Sequence, residues 1–372
     1  MPILTVVTCG TSLITNSAVR IDQDLPATIR TNANAARWND INASDTNKLK
    51  DHLENRKAQL LLAPKDEVRK LSAELNGLLA WQQENLAQSS NPQNIYWLIA
   101  TDTILGQATA QMIKCWLEQQ GYQAQVISSS GLRTTSLTDF RQALAALTEQ
   151  LVSTIKGYQD SGYTINFNLT GGFKGINGFL QALAMVYADQ TYYLFEGSEA
   201  LLYIPKLPYQ LNADDIIKNN LTAMRRLANP NLDHLGVEVA EIPEIWRFGN
   251  GAEAMLSEWG ELIWADAKPK LYQARVWDSP SPKIIITDEF IDSCKKADAT
   301  TLRLINERLD DLAVYLESGS SKMLKSLDVK ALQEKQYKDQ NLHECDLDDH
   351  QRIFMIKNGN TMQLQKLMAA LH

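Results

Sequence analysis

The chain has 372 residues, of which 44% are hydrophobic and 22% charged, and a formal net charge of −8. That length suits about two to three domains of ordinary globular composition, and no window approaches the roughly 18 uninterrupted apolar residues that a membrane span needs. The acidic balance excludes one broad basic surface clamping a nucleic-acid backbone, so any RNA contact has to be local. The opening MPILTVVTCG lacks the basic segment and cleavage site of a secretory leader. Cys9, Cys115, Cys294 and Cys345 show no CxxC spacing, which argues against a disulfide framework or a structural zinc. A cytoplasmic protein without a metal is expected.

Short apolar runs alternate with helical patterns through the first half, the signature of an α/β domain with a parallel sheet covered by helices. Strands are expected over residues 3–8, 95–100 (IYWLIA), 124–128 and 164–169 (TINFNL), with a fifth over 192–195. Helices are expected over 106–120, 137–156 and 175–188, the last directly after TGGFKG. Residues 45–87 predict a charged helical insertion between the first two strands, either covering the sheet or docking a partner. The prolines of IPKLPYQ (204–210) close a first domain at 1–208. Residues 209–280 then read as a small helical or winged-helix connector, with helical runs over 213–227 and 252–262. DSPSPK (278–283) marks a second linker. The segment 281–372 reads as a third, α+β domain with a strand over 284–286, a helix over 301–316 and strands over 341–347, 351–357 and 361–367. Asn358-Gly359 supplies the strongest hairpin signal in the sequence.

In an open parallel sheet, ligands collect beyond the carboxyl ends of the strands. Three such ends are polar: Thr8-Cys9-Gly10-Thr11-Ser12, Thr101-Asp102-Thr103, and Thr170-Gly171-Gly172-Phe173-Lys174-Gly175. Glycines let the backbone approach a phosphate, hydroxyls and a helix N-terminus donate hydrogen bonds to it, and Lys174 adds a point charge. None of these turns is GxGxxG or GxxxxGK[ST], so a standard NAD or ATP site is disfavoured.

The succession VVTCGTSL, ATDTILGQATA, FNLTGGFKG and YYLFEGSEALLYIPKLP resembles the CARF sensor domains of type III CRISPR systems over residues 1–208. The resemblance implies a Rossmann-like homodimer that binds a cyclic oligoadenylate, cyclic tetra-adenylate first among them, across its two-fold axis as an allosteric activator. The family's phosphate-loop positions fall on Gly10, Thr11 and Ser12, and on Thr170, Gly171, Gly172 and Lys174; Thr101 and Asp102 complete the expected ligand set. Some members of the family cut their own ligand slowly, and Ser12 with Lys174 would be the corresponding pair.

Metal-free RNA cleavage needs a base for the 2'-hydroxyl, a cation for the phosphorane and an acid for the leaving oxygen. His343, His350 and His372 lie in the last 30 residues with Arg352, Lys335 and Lys338. Histidine titrates near neutrality and the arginine fork can bond two phosphate oxygens. His343 alternates with Cys345 and Leu347 and reads first as a half-buried strand residue; His350 reads equally as an exposed turn residue; and zinc on His343, Cys345 and His350 wants a fourth ligand.

The pattern KMLKSLDVKAL, LHECDLDDHQRIFMIKNGNTMQLQKLM and a final histidine resembles the RelE superfamily of toxin ribonucleases over residues 284–372. By that resemblance Arg352 and His372 hold family positions, whereas the family's strand lysines are replaced by Glu344 and Asp346, leaving Lys335, Lys338 or His350 as substitutes. Residues 281–372 carry 13 Lys or Arg against 15 Asp or Glu. So acidic a domain implies that the ribosome presents the messenger RNA. The implied whole is a cyclic-oligoadenylate-activated messenger RNA interferase. Its rivals are a transcription regulator, for which Arg225 and Arg226 are the main basic pair, and an enzyme that only degrades the cyclic ligand.

Overall fold

Six apolar or β-branched residues in a row, ILTVVT, form β1 (Ile3–Thr8), and every one is buried. The computed structural model to which this strand belongs describes residues 1–16, 22–195, 200–206, 213–229, 231–232, 241–249, 254–318, 326–332 and 341–369. Parallel strands buried on both faces read as continuous apolar runs. β1 accordingly lies between two parallel neighbours, β2 (Ile95–Ile99) and β4 (Thr164–Asn168), with Leu4 opposite Ile95 and Ile165. The full order is β3-β2-β1-β4-β5-β6, where β3 is Gln123–Ile127, β5 is Gln190–Leu194 and β6 is Leu201–Ile204. β1 to β5 are parallel and β6 runs antiparallel to β5. This is a mixed, mainly parallel α/β sheet consistent with a Rossmann-like domain. β6 lies outside the expected strands: it is a four-residue edge strand whose Leu202 and Tyr203 are exposed, so it has no alternation to read.

The chain divides into two compact units, Met1–Gln210 and Leu211–His372. In the first, the short α1 (Ser12–Thr15) follows β1, and α2 (Leu25–Thr31), α3 (Ala43–Leu62), α4 (Lys65–Leu71), α5 (Ala73–Glu84) and α6 (Leu86–Ser89) build the insertion. Asn42 caps α3, Pro64 separates it from α4, and Ser72 caps α5 by accepting from the Leu75 amide. The insertion is part of the core. Leu49, Leu60, Val68, Leu71, Leu75 and Leu78 are all buried in one cluster with Val7, Leu13 and Leu98, each such side chain contributing about 1.5–3 kcal/mol. The crossover helices are α7 (Ile104–Gln119), α8 (Leu137–Asp160) and α9 (Lys174–Tyr187). α7 starts two residues before the expected 106 because the Thr103 hydroxyl accepts from the Gly106 amide.

The second unit opens with α10 (Asp214–Asn219), α11 (Leu221–Leu227), a two-residue-strand hairpin of β7 (Arg247–Phe248) and β8 (Met255–Leu256), and α12 (Glu258–Ala274). Ser257 caps α12, which runs through Pro269 well past the expected end at 262. There follow β9 (Ile284–Ile286), α13 (Asp288–Ser293), α14 (Ala299–Ser318), β10 (Lys330–Ala331), β11 (Leu342–Asp346), β12 (Gln351–Asn358) and β13 (Thr361–Ala369). The sheet order is β10-β11-β12-β13-β9, antiparallel except that β13 pairs with β9 in parallel. The β12–β13 hairpin falls where Asn358-Gly359 predicts one, but Asn358 still pairs with Thr361, so the two turn residues are Gly359, at φ 60°, and Asn360. A bulge between Phe354 and Met355 shifts the register of that pair.

Each part of this unit has its own apolar core, one around Met224, Leu256 and Trp264 and one around Phe290, Leu309, Cys345 and Met355. Polar groups join them. Arg225 pairs with Asp310 at 2.7 Å and donates to the carbonyls of Asp278 and Asn306, while Arg226 donates to both carboxylate oxygens of Glu317 at 3.0 and 2.8 Å. Both arginines are buried. They fasten α11 to the stretch 278–280 and to α14, which removes them as a pair presented to DNA.

Candidate functional site

The three polar strand ends meet along the carboxyl edge of the parallel sheet, where each strand hands over to a helix. After β1, the Gly10 amide donates to Glu74 Oε1 at 2.7 Å and the Ser12 hydroxyl donates to Glu74 Oε2 at 2.6 Å. The Ser72 hydroxyl donates to the same Oε2 at 2.7 Å, and the Ala73 amide donates to the Ser12 hydroxyl oxygen at 3.0 Å. Glu74 itself is 0% exposed. A buried carboxylate is tolerated only with such donors around it, so the first turn of α5 and the β1 turn are mutually dependent. Glu74 lies inside the helical insertion, where sequence gave it no distinction beyond its place two residues after a capping serine. Burial, and secondarily the Glu74 charge, push the Cys9 thiol well above its ordinary range. That thiol is therefore no nucleophile.

After β4 the glycines earn their place by sterics. Gly172 sits at φ 100°, and a Cβ there would lie 2.6 Å from Thr8 Cβ. A Cβ on Gly171 would run into the Glu74 carboxylate, and one on Gly10 would lie 3.0 Å from the Gly172 nitrogen. The β1 and β4 turns thus touch backbone to backbone, and the Thr8 hydroxyl seals them by donating to the Gly171 carbonyl at 2.6 Å. The Thr170 hydroxyl donates to Asn168 Oδ1 at 2.7 Å and accepts from the Leu194 amide at 3.0 Å, and Asn177 donates to the Gly171 carbonyl at 2.8 Å. Lys174, by contrast, is exposed at the first position of α9, whose N-terminus has no side-chain cap. Phe173 beside it is 38% exposed and packs edge-on against Phe140.

After β2, the Thr101 and Thr103 hydroxyls share a hydrogen bond at 3.0 Å, and Asp102 accepts from the Gly131 amide at 2.8 Å. Thr11 is half-buried and its carbonyl starts α1. The ligand set expected from sequence is therefore brought to one edge. Within it, Gly10, Ser12, Thr101, Asp102 and Thr170 have their polar groups engaged, and Lys174 presents a free cation among the described residues.

The second unit separates its candidates. Arg352 opens β12 directly opposite Asp346 of β11. Its Nε pairs with Asp346 Oδ1 at 2.8 Å, and its Nη1 donates to the carbonyls of Asp348 at 2.7 Å and Gln351 at 3.0 Å. The outer Nη2 has no partner among the described residues. His343 opposes Met355, and Cys345 opposes Ile353, on the face that carries the core. Because side chains alternate along a strand, Arg352 and His343 project from opposite faces of the sheet and do not meet at one phosphate. His343 holds the Asn341 carbonyl at 2.9 Å through Nδ1, and His350 is exposed in the β11–β12 turn. Lys335, Lys338 and His372 lie outside the described residues.

The register reveals one cation that sequence reading passed over. Lys366 of β13 opposes Phe354, two residues from Arg352 on the same face, and is exposed. Diagonal neighbours of this kind lie about 7–8 Å apart. The bulge leaves Gln365 of β13 without a partner in the register and so breaks the alternation of QLQKLM, which hid the shared face in the sequence. On that face Lys330 also pairs with Asp328 at 3.1 Å and Glu344 at 3.6 Å.

No helix among the described residues is long and apolar enough to cross a membrane. No match to the chain is found among curated proteins. Residues 69–207, from within α4 to just beyond β6, match the model of a family described as a CRISPR-associated protein (Cas_APE2256). That stretch contains Glu74, Thr101, Asp102 and the turn over residues 170–174, and the match supports a CRISPR-associated protein.

Proposed function

We propose that the chain is a CRISPR-associated sensor and ribonuclease, in which the first unit binds cyclic tetra-adenylate as a homodimer and the second cleaves messenger RNA in the ribosomal A site. The observation that carries the sensor half is the exposed Lys174 at the uncapped N-terminus of α9, on a glycine turn within the stretch that matches a CRISPR-associated family. A helix N-terminus with a lysine attracts phosphate through both partial and full charge. The ring of a cyclic tetra-adenylate has two-fold symmetry, which a two-fold dimer can match.

The ribonuclease half is supported by the free Nη2 of Arg352 and by Lys366 on the same face, two cations suited to a phosphorane. His350, exposed beside Arg352 in sequence, is the base or acid in this reading, and Lys335 and His372 are further candidates for the same proton transfers. The acidic composition of the domain favours RNA presented by the ribosome over RNA captured alone. Ligand bound across the dimer favours the cutting arrangement only if it binds that arrangement more tightly than the resting one.

The transcription-regulator reading loses its two arginines to the clasp with Asp310 and Glu317. The reading as a ligand-degrading enzyme keeps Lys174 but finds the Ser12 hydroxyl committed to Glu74. The test uses translating ribosomes, messenger RNA and cyclic tetra-adenylate with wild type, Arg352→Ala and Lys366→Ala. Ligand-dependent cleavage in wild type that falls at least 100-fold in the variants is the expected result; absence of ligand-dependent cleavage in wild type overturns the proposal.

A further inference from the structure

Two loops compete for the role of phosphate holder, and the structure treats them differently. The β4 turn ends in an exposed lysine and an uncapped helix. The β1 turn has its two best donors, the Gly10 amide and the Ser12 hydroxyl, already bonded to one carboxylate at 2.7 and 2.6 Å. That carboxylate is fully buried and receives a third hydrogen bond from Ser72. It also lies against the backbone of Gly171, so that no side-chain atom fits between them.

We propose that Glu74 is a resident anion that closes the β1 turn to phosphate and thereby assigns the ligand's phosphate contact to the β4 turn and Lys174. The inference deepens the sensor reading above and rests on it for the identity of the ligand. A carboxylate and a phosphate both want N–H and O–H donors, and two like charges in contact disfavour each other. While Glu74 stays in place, the Gly10 and Ser12 donors are sterically and electrically occupied. The same contacts tie the first turn of α5 to the start of α1, so expelling Glu74 would require the insertion to move. Glu74 is thus a specificity-determining residue that touches no ligand.

The first arm of the test is calorimetric titration of the full chain with cyclic tetra-adenylate. Lys174→Ala is expected to weaken binding at least tenfold and Ser12→Ala less than twofold. In a Glu74→Ala background, Ser12→Ala is expected to weaken binding clearly, because the vacated turn then takes part. Equal losses for Ser12→Ala and Lys174→Ala in the presence of Glu74 would overturn the inference, and this comparison decides the matter even if Glu74→Ala does not fold.

The second arm needs no cyclic ligand. In chain labelled with 15N-glycine, the Gly10 amide resonance is expected to stay put on addition of inorganic phosphate to wild type, and to shift saturably in Glu74→Ala. A shift in wild type, or none in either protein, overturns the inference. If neither wild type nor any variant binds cyclic tetra-adenylate, the sensor reading fails, and the phosphate arm still decides whether Glu74 excludes anions from the β1 turn.

Discussion

Arg225 of α11 and Asp310 of α14 form an ion pair at 2.7 Å in which the arginine side chain is 0% exposed and the carboxylate 15%. The Tyr272 hydroxyl donates to the other oxygen of Asp310 at 2.6 Å, and its ring lies 5.2 Å from the guanidinium. Every charge in this cluster has a partner, which is the condition for ions to be tolerated out of water. Among the described residues, Arg225→Ala leaves Asp310 with the tyrosine and the more distant Lys268, 4.0 Å away. The expected loss is about 3–5 kcal/mol, read as a lower midpoint in urea denaturation. A loss under about 1 kcal/mol would mean that α11 and α14 are held together by apolar contact instead.

The pair formed by Arg352 and Asp346 leads to a different expectation, because it is only partly buried and one guanidinium nitrogen is free. Asp346→Asn removes the charge that competes with phosphate for the arginine while keeping the shape of the side chain. If Arg352 contacts RNA, Asp346→Asn keeps or raises ligand-dependent cleavage, whereas Arg352→Ala abolishes it. A partly exposed ion pair contributes about 0–1 kcal/mol, and Arg352 keeps its hydrogen bonds to the Asp348 and Gln351 carbonyls in Asp346→Asn. Thermal unfolding should therefore separate lost fold from lost chemistry. Cleavage lost equally in both variants, with folding intact, would identify the pair as a unit that orients Arg352.

How far the sequence could be read follows from what kind of signal each feature leaves. β1, β2 and β4 are apolar runs closed by polar turns, and their positions follow from that pattern within about a residue. The β12–β13 hairpin announces itself through Asn358-Gly359, although the turn sits one residue later, on Gly359 and Asn360, because Gly359 takes the positive φ. Glu74 leaves no such trace: it is one acidic residue in a charged helical stretch, and only the packing of α5 against the β1 turn separates it from its neighbours. Lys366 was hidden by a bulge, which moves a side chain to the other face without changing composition. Arg225 and Arg226 look like a basic surface pair in sequence, since nothing local shows that Asp310 and Glu317, some 85 to 91 residues later, arrive to bury them.

His52 of α3 is buried, and its Nε2 donates to the Ile14 carbonyl at 2.8 Å, near the C-terminal end of α1. Burial lowers its pKa from the ordinary 6.5, against the opposing pull of that hydrogen bond. In the unfolded chain the ring takes up its proton around pH 6.5, whereas the folded protein resists it to lower pH. Its contribution to stability is therefore complete above about pH 6.5 and is lost as pH falls through the folded value. His52→Gln keeps a donor for Ile14 and cannot titrate. Urea midpoints measured from pH 7.5 down to pH 5 should fall less steeply in the variant than in wild type, and superimposable slopes would exclude His52 as a source of the acid sensitivity.

Gly172 gives the sharpest steric expectation at the candidate site. Its φ of 100° is one that L side chains rarely adopt, and an added Cβ would stand 2.6 Å from Thr8 Cβ and 2.7 Å from Asn177 Oδ1. The left-handed conformation costs about 1–2 kcal/mol for a non-glycine residue, and forcing a methyl into a packed contact adds about 1–3 kcal/mol. Gly172→Ala should therefore lose at least about 2 kcal/mol of stability. Gly178, on the same helix as Lys174, is the control: an added Cβ there meets nothing within 4 Å, so Gly178→Ala should be neutral or stabilising. The steric account requires the two alanines to diverge in denaturant midpoint. If the ligand also enters across the β4 turn, Gly172→Ala should weaken cyclic tetra-adenylate binding while Gly178→Ala leaves the affinity within twofold of wild type. Equal affinities for both variants would place the phosphate contact away from this turn.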